Sequence, residues 1–162
     1  MTTGRRGVNG LLVQAQDFFN AFEVLHESNQ RFILSSLNSS NNPPQANKFG
    51  TLPSMGVDVV CLAFSVELFI KYLHLAITGR VPHEHSIMEL YKKLPKNVQQ
   101  EIFACRSIAN YGWSYSQFEK ELFAISDGFT KWRYSYEANT LRYNIYFALA
   151  FIEAMKDVAP PA

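Results

Sequence analysis

Apolar residues along this chain recur mostly at helical spacing. Leu11, Ala15, Phe18, Phe22, Leu25 and Phe32 follow a 4-3 pattern, broken by Asn29, which predicts a first helix over about residues 9–37. Residues 57–77 are almost wholly apolar over most of the helix circumference, so the second helix belongs at the centre of a bundle. Gly79 is a fitting residue to end it. Ser86 with Glu89 and Ser114 with Gln117 have the spacing of capping boxes. They open helical faces carrying Ile87, Leu90, Tyr91 and Leu94, and a helix through about Ile125. Between them Pro95 suits a helix start, and Val98, Ile102, Cys105 and Ala109 share one face. A last helix over about residues 140–158 is nearly all apolar in its middle and stops before Pro160 and Pro161.

Two stretches interrupt the helical pattern. Residues 35–56 hold Asn38, Ser39, Ser40, Asn41, Asn42, Pro43, Pro44 and Pro53, which predicts a loop long for a compact domain, either functional or a spacer. Residues 129–136 are aromatic and tolerant of extended structure, so their form is open. No strand alternation and no internal repeat stand out. The expectation is a single all-α domain over residues 1–162, an up-and-down bundle of about five to six helices with one long polar loop.

Within the apolar second helix the polar residues are ordered. Glu67, Lys71 and His74 fall at i, i+4 and i+7, a stripe roughly 60° wide. Asp58 near the helix start suits the helix dipole. The stripe is either the helix's one wet face, with Glu67 and Lys71 as a favourable i, i+4 ion pair, or a polar site inside the protein that lines a groove for a ligand or RNA.

Composition narrows the function classes. The chain is 162 residues long and 48% hydrophobic, enough for one real core. A net charge of +1 gives no global field for nucleic acid, so such binding would need a local patch. Cys61 and Cys105 are far apart in apolar surroundings, which indicates buried thiols in a reducing compartment and no zinc spacing or disulfide framework. Residues 57–77 are long enough to span a bilayer, but Glu67 and Lys71 would then lie near its centre at high cost. A cytoplasmic protein without a membrane span is the expectation. The N-terminal Arg5 and Arg6 lead into no signal-type apolar core.

Two further segments carry candidate chemistry. The turn Arg80-Val81-Pro82-His83-Glu84-His85 places two histidines two apart, with no third or fourth metal ligand in view, and His85 directly precedes the cap of the next helix, where an anion such as phosphate is favoured. Positions 111–147 hold 12 of the 23 aromatic residues, with Lys131, Arg133 and Arg142 among them. Rings interleaved with cations suit single-stranded RNA, and equally suit core packing with an Arg133–Glu137 pair. No Gly-rich phosphate loop, nucleophile elbow or zincin motif is present.

Residues 63–95, AFSVELFIKYLHLAITGRVPHEHSIMELYKKLP, resemble the HEPN superfamily, the helical domains of prokaryotic toxin, defence and nucleotidyltransferase-associated proteins. Glu67, Lys71, Gly79, His85 and Leu90 match its pattern, and residues 129–137, FTKWRYSYE, resemble an aromatic Arg-Tyr segment that follows in some members. The resemblance covers about a quarter of the chain. It implies a bundle of four or five helices, commonly a homodimer with its site at the interface. In many members an Arg and a His with four to six residues between them cleave RNA without metal; here Arg80 and His85 have four between them, though Val81 replaces the usual polar neighbour and Pro82 puts the pair in a loop. His85 also matches the histidine of members without established nuclease activity.

Three readings follow. The first is a dimeric binding or regulatory module for RNA, a nucleotide or a partner protein in a defence or toxin–antitoxin type system. Its site would be lined by Glu67, Lys71, His85, Arg133 and Glu137, with Lys71 and Arg133 holding phosphate and no cofactor or metal. The second is a metal-independent endoribonuclease using Arg80 and His85. The third is a structural interaction domain docking through its apolar final helix.

Overall fold

The computed structural model describes residues 3–38, 56–126 and 143–160, with side chains of the first helix described over residues 10–35. These residues form seven α-helices and no strand: α1 (Thr3–Asn38), α2 (Val57–Thr78), α3 (Ile87–Lys93), α4 (Lys96–Ala104), α5 (Arg106–Ala109), α6 (Tyr115–Ile125) and α7 (Ile145–Val158). The all-α bundle expected from the periodicity is therefore what forms.

α1 packs antiparallel along α2. Ala15, Phe22 and Asn29 are buried at seven-residue intervals and make the seam. Its direction is fixed by three cross-links in reverse order along α2. Ser65 Oγ donates to the Ala15 carbonyl at 2.8 Å, Phe18 meets Phe64 edge-on at 4.5 Å, and His26 meets Asp58 at 2.8 Å. α2 is covered on its remaining sides by α3 and α7. Leu62, Val66, Ile70 and Leu73 have no exposed surface, and each contributes roughly 2 kcal/mol of apolar burial. By length and composition alone α2 could cross a bilayer, but 67% of its most apolar stretch is buried inside this bundle.

α3, α4, α5 and α6 surround α7 and build an aromatic second half of the core. Phe147 and Phe151 stack at 5.9 Å, and Phe118 meets both of them. The apolarity of the last helix is thus spent inside the chain's own core: Phe147, Ala148, Phe151, Ile152 and Ala154 are fully buried.

The boundaries depart from the periodicity in four places. α1 begins at Thr3 and runs to Asn38, so the first residues assigned to the long loop are helical, and residues 39–55 lie outside the described residues. The single helix expected after Pro95 is split at Cys105, whose extended backbone (ψ 142°) turns the chain between α4 and α5. Val98 and Ile102 are buried as expected, but after the turn Ile108 is buried and Ala109 exposed. This division adds one helix to those expected among the described residues. α7 starts at Ile145, five residues later than the pattern suggests. Asn144 caps it by accepting from the Phe147 amide at 3.0 Å, which fixes the start. Residues 127–142, with the open aromatic segment, lie outside the described residues.

Candidate functional site

The polar stripe of α2 is inside the protein. Glu67 is 2% exposed and His74 3%, which corrects the simpler expectation of a narrow solvent face. The sequence pattern could not distinguish the two, because an i, i+4 pair looks alike on either side of a helix. What buries it is the chain's return after α2. Gly79 ends the helix in the left-handed conformation (φ 72°), its N–H bonding the Leu75 carbonyl. Residues 80–86 then cross back toward the body of the helix. The far end of this return is tied down twice at α6, because Ile87 N–H donates to the Ser126 carbonyl at 3.2 Å and Met88 N–H to Ser126 Oγ at 2.8 Å. Ser86 caps α3 through the Glu89 amide. The reciprocal half of that expected capping box is replaced by a Glu89–Lys92 ion pair. Glu84 pairs with Lys93, and the ammonium beside it holds the Glu84 carboxyl below its ordinary range.

This return delivers His85 onto Glu67. His85 Nδ1 lies 2.8 Å from Glu67 Oε1, and Lys71 Nζ donates to the same oxygen from 2.7 Å. The Glu67 side chain is 3% exposed and that of Lys71 11%, whereas that of His85 is 72% exposed. A carboxylate can only accept, so the bond fixes Nδ1 as the protonated nitrogen and turns Nε2 outward. Lys71 offsets the carboxylate charge. Arg80 is exposed on the same return and makes no ion pair among the described residues.

His74 serves the fold. Its Nε2 lies 2.8 Å from the Leu90 carbonyl, one of the last carbonyls of α3, which have no partner within their own helix. It holds α3 on α2 and does not join the Glu67 centre. Of the five residues expected to line a polar site, Glu67, Lys71 and His85 come together here, while Arg133 and Glu137 lie outside the described residues. Lys71, expected to hold phosphate, is committed to Glu67, while His85 and Arg80 are the more exposed groups. Among the described residues no group of three or more His, Cys, Asp or Glu side chains could hold a metal ion.

Sequence reasoning missed a second acid–histidine pair. Asp58, read as a dipole partner, is buried, accepts from the Gly56 amide at 3.2 Å and pairs with His26 at 2.8 Å. His26 also stacks on Phe22 at 5.1 Å. The available signal was a histidine four residues after a core phenylalanine, on the face that α1 turns to α2. The nearby Cys61 thiol is pushed up by burial and then by the Asp58 charge, so it is poorly suited to nucleophilic chemistry.

Compared with family models, curated proteins and solved structures, the chain matches none.

Proposed function

We propose that this protein is an HEPN-like helical module, working as a homodimer in the cytoplasm, that binds the phosphate groups of RNA or of a nucleotide through His85 and Arg80. The observation that carries this reading is the buried Glu67 carboxylate, balanced by Lys71 and holding an exposed imidazole by one nitrogen. That imidazole keeps Nε2 free at the surface, on a segment anchored at both ends that also carries Arg80, which makes no ion pair among the described residues. Donors held in place before a ligand arrives bind it at lower entropic cost. The setting proposed, a defence or toxin–antitoxin type system, rests on the resemblance of residues 63–95.

The test is binding of a mixed-sequence single-stranded RNA at low salt in chelator. Arg80→Ala and His85→Ala should each weaken binding about threefold to tenfold, and Arg80→Ala should reduce the salt slope by about one. Binding untouched by both substitutions would refute the site.

A second reading draws on the same geometry. Glu67 fixes the His85 tautomer with Nε2 unprotonated, as a general base requires. Such a base would take the proton of a ribose 2′-OH as that oxygen attacks the adjacent phosphorus. Arg80 would offset the charge that grows on the phosphoryl oxygens while the bond from phosphorus to the 5′-oxygen breaks and that oxygen takes up a proton from solvent. Metal-free cleavage yielding 2′,3′-cyclic phosphate ends, lost in His85→Ala, would establish it; intact RNA from folded wild-type protein would leave binding alone.

A further inference from the structure

On the opposite side of the aromatic core a cleft of about 480 Å³ lies between α5 and α7. One wall is a face of α7, with Tyr146, Ala150 and Glu153 at i, i+4 and i+7. The other is Ser107, Asn110 and Tyr111, at i, i+3 and i+4 on α5 and the turn after it. The volume is within the range of small-molecule sites, and the lining is unlike a simple surface groove in three respects.

Tyr111 is a braced platform. Its ring is stacked on Trp113 at 4.3 Å with only 4° between planes, and Trp113 in turn leans on buried Phe147. Tyr111 nevertheless remains 48% exposed, so one side of it is open while the other is held. Tyr146 stands 72% exposed across the cleft. Secondly, Ser107 Oγ is shielded from water and has no hydrogen-bond partner, a state that buried hydroxyls rarely keep. Thirdly, among the described residues Glu153 has a single partner, Lys156, three residues on at 3.1 Å, and the side chains are 55% and 32% exposed. Such surface pairs are weak, so both carboxylate oxygens can turn to a ligand.

We propose that this cleft binds a planar heteroaromatic ring with two adjacent N–H donors on one edge, of the guanine type. The ring stacks on the open face of Tyr111. Its ring N–H and exocyclic amino group donate side by side to the two oxygens of Glu153, a match of parallel donors to a carboxylate that adenine cannot make. Asn110, on the same wall as Tyr111, meets the ring's remaining polar atoms. The site is independent of the reading given for His85.

The test uses Trp132→Phe protein, in which Trp113 is the only tryptophan, with guanosine, inosine and adenosine as probes. Nucleosides carry no phosphate, so the outcome is separate from phosphate binding at His85. Guanosine should change Trp113 emission saturably, with inosine weaker because it lacks the exocyclic amino group. Adenosine should bind about tenfold more weakly than guanosine. Glu153→Gln should weaken guanosine about tenfold and leave adenosine unchanged. Tyr111→Ala, with its fold checked by circular dichroism, should abolish the response to all three. Two results overturn the proposal: no saturable change with guanosine, or equal responses to guanosine and adenosine that Glu153→Gln leaves alone.

Discussion

Glu67 illustrates how a single buried charge is tolerated. Removing a carboxylate from water costs several kcal/mol unless its partners are close, and here the Lys71 ammonium and the His85 imidazole share one of its oxygens at 2.7 and 2.8 Å. The partners differ in environment, since the Lys71 side chain is nearly buried with Glu67 while that of His85 is in solvent. Their energetic roles should differ accordingly. Glu67→Leu leaves the Lys71 ammonium without a partner at 11% exposure, and should cost about 3 kcal/mol of unfolding free energy in urea. Replacing both, as Glu67→Leu with Lys71→Met, should cost clearly less than Glu67→Leu alone, because the stranded charge goes too. If the two substitutions added independently, the pair would not be the coupled buried unit described. Stability recovered in the double variant should come without recovered RNA binding, because His85 would have lost the carboxylate that orients it.

At the scale of elements, glycines give opposite signs in different places. Gly79 ends α2 at φ 72°, and a Cβ added there meets nothing within 4 Å, so only backbone strain opposes Gly79→Ala. That strain should lower stability by about 1 kcal/mol. Gly10 lies within α1, where a Cβ also meets open space. Gly10→Ala should raise stability by about 0.5 kcal/mol through helix propensity. Thermal melts of the two variants check both signs, and a shift of Gly79→Ala upward would show that the cap is unstrained. The Gly79 stop was legible in the sequence, as were α2, the Ser114 capping box and the end of α6 at Ile125, because each depends on residues within a few positions. The break at Cys105 was not, since Val98, Ile102, Cys105 and Ala109 keep perfect helical spacing through it. Only the need to wrap α4 and α5 around α7 bends the chain there. Likewise the Glu67–Lys71 pair could be read from spacing, but its burial depends on His85, 18 residues away. The α7 half of the cleft was readable as a stripe at i, i+4 and i+7. Which wall would face it, and that Trp113 would brace Tyr111, belongs to tertiary packing.

At the scale of the whole molecule, Tyr91 is where the second half of the bundle is joined. It belongs to α3, donates its hydroxyl hydrogen to the Gln99 carbonyl in α4 at 2.9 Å, and packs its ring against Phe118 of α6 and Phe151 of α7. Gln99 reciprocates through its side-chain amide, which donates to the Lys92 and Leu94 carbonyls. Burial above all pushes the Tyr91 phenol up, and the neighbouring Tyr115 and the Glu119 charge work in the same direction. Tyr143 is pushed up by burial as well. An unfolded tyrosine loses its proton near pH 10, whereas these two keep theirs in the fold. Above that pH the native state binds more protons than the unfolded state, so unfolding free energy declines as pH rises. Stability from these groups is complete below about pH 10 and is lost as pH climbs toward the folded values. Urea unfolding between pH 8 and 11.5 should therefore show a plateau followed by a steady fall. Tyr91→Phe should start about 1 kcal/mol lower at pH 8, having lost the bond to Gln99, and should fall less steeply above pH 10 because one of the two protons no longer counts. The remaining slope belongs to Tyr143, and Tyr143→Phe should reduce it in turn. Parallel curves for wild type and Tyr91→Phe would mean that the phenol of Tyr91 titrates alike in both states, and curves that also coincide at pH 8 would mean that ring packing alone holds the joint between the four helices.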